Sequence, residues 1–234
     1  MLLYFKFLFL LPVAAFLNFI DILKHVSFSR KLYGLYGFVG LAGHGKTYSA
    51  VRMVHKLKEK FPDAGIISNI QITDKYGKNI VDKELVDYRQ LLLPYQRNMI
   101  VLIDEIPSLF QARSWAEFPP ELMGKLTMLR KDYGMLIIYT AQRFSMIDKV
   151  LRLTTDAIYI CDCYYCYLNK LKKVLPQNID GDTGLIKNSE KALDCEVFLQ
   201  KKWIRNSYDT GFKVKKLRSI VKPKVEETKK KKKT

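Results

Sequence analysis

Short runs of consecutive apolar residues, rather than alternating ones, dominate the pattern along this chain. Leu32–Val39 (LYGLYGFV), Ala64–Ile72 (AGIISNIQI), Met99–Ile103 (MIVLI) and Gly134–Arg143 (GMLIIYTAQR) are four of them. A run of that length without alternation predicts a strand covered on both faces, as in the middle of a parallel sheet. Thr154–Leu168 (TTDAIYICDCYYCYL) is rich in β-branched and aromatic residues and predicts one more strand. After the first run the rhythm becomes helical: Ala50, Met53, Val54 and Leu57 recur at three- and four-residue steps, and Pro62 stops the pattern. Strands separated by helices or loops, with polar residues at the strand ends, predict an α/β fold with a mostly parallel central sheet. Ligands of such sheets bind outside the carboxyl ends of the strands.

One apolar segment stands apart. Leu2–Ile20 is interrupted only by Lys6 and Asn18 and carries Pro12 in its middle. As a helix it is just long enough to cross a bilayer core of ~30 Å. No clear small-x-small cleavage site follows the apolar run, so a cleaved signal peptide is the poorer reading. Lys24, His25, Arg30 and Lys31 follow the segment and only Lys6 interrupts its start, which places the body of the chain in the cytoplasm. A buried helix of a soluble domain and an interfacial helix are the alternatives. The expected organisation is a single-pass membrane anchor at 1–23, a nucleotide-binding α/β domain at 30–212 and a basic disordered tail at 213–234.

The 234 residues carry a formal net charge of +17. Without Lys222–Thr234 there remain 33 basic and 21 acidic residues, so the excess does not come from the tail alone. A body this basic predicts a polyanionic partner, either nucleic acid or an anionic lipid surface. Three of the four cysteines, Cys161, Cys163 and Cys166, lie close together, with Cys195 at a distance. Structural zinc sites more often use paired Cys-x-x-Cys units, so reduced thiols on a strand are expected, with zinc as the other reading.

Chemistry enters at Gly40–Thr47, GLAGHGKT, which fits the phosphate-binding P-loop pattern with Gly40, Gly45, Lys46 and Thr47 in the fixed places. Gly43 and His44 complete the expected phosphate cradle. An apolar run precedes the octapeptide and a helical pattern follows it, the context in which backbone N–H groups surround phosphates at the positive end of a helix. Lys46 is expected to reach the β- and γ-phosphates of ATP, and Thr47 to ligate Mg²⁺. The run Met99–Ile103 ends in Asp104-Glu105. Asp104 is the expected second holder of Mg²⁺, and Glu105 the base that deprotonates the attacking water. Such a pair suits water activation better than transfer to an alcohol. Gln142, at the end of its own run, either senses the γ-phosphate or is an ordinary loop amide. No Asn-Lys-x-Asp element is present, which favours adenine over guanine.

The series GLAGHGKT, IISNIQI, VLIDEIPSLF and LRKDYGMLIIYTAQRFSMIDKVLR resembles the Zot-like (zonula occludens toxin-like) branch of the FtsK/HerA motor ATPases, which includes filamentous-phage assembly and export proteins. It spans roughly Leu35–Cys161. The resemblance implies a ring-forming homo-oligomer that hydrolyses ATP, with Gln142 as the sensor. It implies that Arg130 reaches the neighbouring subunit's nucleotide, Arg143 and Arg152 being weaker matches. Phage single-stranded DNA or coat proteins, together with membrane lipids, are the implied partners, and the host inner or cell membrane is the implied location. The apolar segment stands in front of the ATPase region here, whereas the phage proteins usually carry theirs behind it. Export of a phage across the host membrane, packaging of viral DNA, and a non-hydrolysing membrane adaptor switched by nucleotide are the functions left open.

Overall fold

The computed structural model describes residue 12 and residues 32–95, 97–106, 120–129, 134–180 and 192–209. The expected anchor (apart from Pro12), the basic tail and Arg130 therefore lie outside the described residues. Among the described residues no helix is long and apolar enough to cross a membrane.

The core is an eight-stranded sheet. Its strands are β1 (Gly34–Val39), β2 (Gly65–Ser68), β3 (Lys83–Glu84), β4 (Met99–Ile103), β5 (Met135–Ala141), β6 (Ala157–Tyr164), β7 (Leu168–Val174) and β8 (Ala192–Leu199). Across the sheet the order is β3-β2-β4-β5-β1-β6-β7-β8. From β3 to β6 every pairing is parallel, and β7 and β8 continue the sheet antiparallel. The sheet is thus mostly parallel, as the unalternating runs implied. All residues of β4 and β5 are buried.

One helix, α1 (Lys46–Lys60), lies on one face and buries Ala50, Val51 and Val54 against Phe38, Ile66, Ile100 and Ile138. The other face packs Leu35, Val101, Ile137 and Tyr139 against Leu122 and Leu126 of a second helix, α2 (Pro120–Thr127), and Leu151 of a third, α3 (Lys149–Thr154). Burial on both faces is the reason the central strands carry so little polarity.

Three local outcomes differ from the reading of the pattern. The run Ala64–Ile72 forms a strand only as far as Ser68, because the Asn69 side chain is taken up by the backbone of Asp104. The aromatic run Thr154–Leu168 is not one strand but β6, a turn, and the start of β7. Tyr165 and Cys166 both adopt positive φ (53° and 60°), the sign of a tight hairpin turn. Finally, β8 leaves most of its residues exposed, so no apolar run announced it.

Candidate active site

The loop after β1 is shaped by backbone geometry. Gly43 and Gly45 have φ of 79° and 73°, a conformation that costs side-chain-bearing residues and that curls successive N–H groups toward an anion. Gly45 is the N-cap of α1 and supplies no side-chain acceptor, and the first turn contains no acidic residue. The N-terminal N–H groups of this 15-residue helix are thus left without a side-chain cap, the arrangement that binds phosphate at a helix start. Lys46 is buried, and its ammonium bridges the loop by donating to Leu41 O at 3.0 Å. His44 Nδ1 lies 3.4 Å from the carboxylate of Asp162 on β6, while Gly43 is exposed.

The acidic pair stands across the cleft. Because β5 is inserted between β1 and β4, Asp104 is two strands from the P-loop strand, ~10 Å at ordinary strand spacing. Thr47, on the first turn of α1, spans the gap: its hydroxyl donates to Asp104 Oδ1 at 2.9 Å. The Thr140 hydroxyl on β5 donates to the same oxygen at 2.8 Å and accepts from Glu105 N at 2.8 Å. Asn69, just past β2, holds Asp104 from the other side, its carboxamide accepting from Asp104 N and donating to Asp104 O, both at 2.8 Å. Two hydroxyls therefore hold the Asp104 carboxylate, and Asn69 holds its backbone. Burial pushes the Asp104 carboxyl up from its ordinary value, opposed by the Thr140 and Thr47 hydroxyls and by the charge of Lys46.

Glu105 adopts φ 53°, in the left-handed region that glutamate rarely enters. Such strain concentrates at functional sites. Burial raises the Glu105 carboxyl, with Lys46 lowering it and the charge of Asp104 raising it further. Gln142 is exposed one residue past β5, beside Ala141, whose carbonyl accepts from Gly40 N at 3.3 Å. The structure thus brings Gly40, Gly43, His44, Gly45, Lys46, Thr47, Asp104, Glu105 and Gln142 to the carboxyl edge of the parallel strands. Arg143 is exposed beside Gln142. The oxygen donors of Thr47 and Asp104 suit a hard divalent cation such as Mg²⁺.

Reading the chain residue by residue misses one participant, Asn169 on β7. It is completely buried, with Nδ2 donating to Ser49 Oγ at 3.1 Å and Oδ1 accepting from Gln200 Nε2 at 2.8 Å. A Cβ on Gly45 would stand 2.6 Å from that amide, so Asn169 is the wall behind the P-loop. A polar residue near the start of a lysine-rich strand offers no signal of such a role. The cysteines are free thiols: Cys161 is buried, which raises its pKa, and Cys166 and Cys195 are exposed. No group of three or more metal-ligating side chains occurs among the described residues.

The sequence profile of the family described as Zonular occludens toxin (Zot) matches residues 35–163, more than half of the chain. Among solved structures, the N-terminal domain of zonular occludens toxin from Neisseria meningitidis is 18% identical with a TM-score of 0.52, over 76% of this chain and all of that one. The genome packaging NTPase B204 from Sulfolobus turreted icosahedral virus 2 has 14% identity and a TM-score of 0.42, over 54% of this chain and 74% of its own. The ATPase domain of G40P has 12% identity and a TM-score of 0.41, over 65% and 80%. No curated protein matches the chain in sequence.

Proposed function

Because the chain belongs to the Zot family, we propose that it is an ATPase of phage assembly, held at the host inner membrane by residues 1–23 with its ATPase domain in the cytoplasm. The carrying observation is the contact between Thr47 Oγ1 and Asp104 Oδ1 at 2.9 Å, which joins the phosphate loop to the acidic strand. Thr47 and Asp104 would hold Mg²⁺, which when bound neutralises phosphate charge. Lys46 and the N-terminus of α1 bind and orient the phosphates of ATP. Glu105, its carboxyl raised by burial, takes the proton of the attacking water. Gln142, exposed beside the loop, is the sensor of the γ-phosphate. Arg130 completes the site of a neighbouring subunit in a ring, and the work of the ring is the assembly and export of a single-stranded DNA virion with its coat proteins. DNA packaging into a shell is the alternative use of the same motor. The glutamate argues against a purely structural nucleotide site, since an adaptor that never hydrolyses ATP needs no base.

The test is a pair of substitutions in the full chain. Lys46→Ala should weaken ATP binding at least tenfold, whereas Glu105→Gln should bind ATP and lose turnover. Turnover of the parent should also fall on acidification, as Glu105 is protonated and can no longer act as base. Parental ATP affinity in Lys46→Ala would refute the site, and parental turnover in Glu105→Gln would move the base elsewhere.

A further inference from the structure

The hairpin joining β6 to β7 presents a surface that nucleotide chemistry does not use. Tyr165 at its tip is 94% exposed, Tyr167 58% and Tyr164 47%. The tip is firmly built. Tyr167 N donates to Tyr164 O at 3.2 Å across the turn, and Gln200 N donates to Tyr167 O at 2.8 Å, so the residues after β8 back the hairpin. Arg205 Nη2 donates to Cys166 O at 3.1 Å, and its guanidinium lies 4.8 Å from the centre of the Tyr167 ring. Lys201 and Lys202, next to Gln200, are exposed. Neither Cys163–Ile179 nor Val197–Tyr208 contains an aspartate or glutamate. Three open aromatic rings among cations, with no carboxylate in either segment, form a local surface for a polyanion that also has flat apolar faces.

The geometry points to this hairpin as a binding platform for single-stranded nucleic acid. Exposed rings stack on unpaired bases without regard to sequence, and the neighbouring cations follow the phosphates. A duplex keeps its base faces covered and cannot use the rings in that way. The position couples the platform to the nucleotide. β6 runs parallel to β1 with Ile160 opposite Val39, so Tyr164 lies ~13 Å further along at the rise of a strand, beyond the same sheet edge as the P-loop. Asn169 on the returning strand touches Gly45 and is held by Gln200, whose own backbone N–H holds the tip.

The platform deepens the ATPase reading by giving it a place to grip its strand, but its test needs no nucleotide. Binding of the full chain to a fluorescent 20-nucleotide oligo-dT is followed by anisotropy, beside oligo-rU, duplex DNA and phosphatidylglycerol vesicles. Tyr165→Ala should weaken oligo-dT binding roughly 5- to 20-fold, the loss of about one stacked base. Tyr165→Phe should restore it, since the ring and not the hydroxyl stacks, whereas Tyr165→Leu should not. Replacing both Lys201 and Lys202 with Ala should reduce the salt dependence of binding by about one to two ion equivalents. Lys46→Ala should bind the oligonucleotide as the parent does, which separates failure of the platform from failure of the nucleotide site. Parental affinity in Tyr165→Ala, or full rescue by leucine, overturns the proposal. So does a loss confined to vesicles, which would make the hairpin a membrane contact, or an equal loss for duplex.

Discussion

Thr140 is a single hydroxyl on which two functional groups depend, and replacing it by valine removes only that hydroxyl. The side chain is completely buried and valine has nearly its shape, so neither a cavity nor a clash accompanies the change. What is lost is a hydrogen bond to the carboxylate of Asp104 at 2.8 Å and the acceptor for Glu105 N, also at 2.8 Å. A hydrogen bond to a charged group contributes about 1.5–3 kcal/mol, and an orphaned backbone N–H costs about 1–3 kcal/mol. Glu105 is half-buried, so water can reach part of that site and the second figure belongs near its lower end. Thr140→Val should therefore lower stability by about 3 kcal/mol, a large share of a typical domain's 5–15 kcal/mol. Glu105, no longer pinned at φ 53°, should relax from its place, and turnover should fall on the order of a hundredfold. The hydrogen bonds of the Thr140 hydroxyl run to the acidic pair and not to the phosphate loop, so ATP affinity should change less than about threefold. Urea unfolding, steady-state hydrolysis and equilibrium binding of a fluorescent ATP analogue measure the three quantities. Parental turnover, or a loss of affinity as large as the loss of turnover, would refute the assignment of Thr140 to the acidic pair.

Asn169→Ala opens the wall behind Gly45, and should raise the Kd for ATP and for tripolyphosphate about tenfold with turnover at saturation nearly unchanged. An unaltered Kd in direct titration would reduce Asn169 to a core amide. Glu196 accepts both Arg52 guanidinium nitrogens (3.0 and 2.7 Å) and Lys56 at 3.2 Å, and the Arg52 bonds above all draw its carboxyl from 4.5 down to about 2. A depressed carboxyl stabilises the fold above its unfolded pKa and stops doing so as pH falls through the folded one. Glu196→Gln should thus cost only about 1 kcal/mol at pH 7, because the side chain is 42% exposed and solvent screens the pair. The difference from the parent should shrink between pH 4.5 and 2, and urea unfolding across that range would expose a constant difference. For the proposed ring, Arg130→Ala and Lys46→Ala should each lack ATPase activity alone and recover part of it when mixed. A dead mixture of native-size oligomers would remove Arg130 from the shared site.

Local signals sufficed for the parts of the site that are contiguous in the chain. GLAGHGKT, the apolar run before it and the helical period after it are within a few residues of one another, so the P-loop and α1 were legible in the sequence. The run Met99–Ile103 with Asp104-Glu105 at its end was legible for the same reason: a strand buried on both faces must be apolar throughout, and its first charged residues mark its exit from the core. Which strand lies beside which was not written locally. Placing β5 between β1 and β4 is a choice among pairings of similar apolar runs, and only that choice brings Thr140 between Asp104 and Glu105. Asn69 meets Asp104 from 35 residues away, and Asn169 meets Ser49 from 120. An asparagine or threonine at a strand end looks the same whether it faces water or bonds a neighbouring strand end, because its short side chain bonds whatever the fold places beside it. The exposed, edge-forming β8 had no apolar run to reveal it, since pairing with β7 and not burial holds it in the sheet. The apolar pattern by itself determined which central strands are buried and where the P-loop helix runs; the partners of the buried polar groups were decided by the tertiary structure, which alone sets distances between residues far apart in the chain.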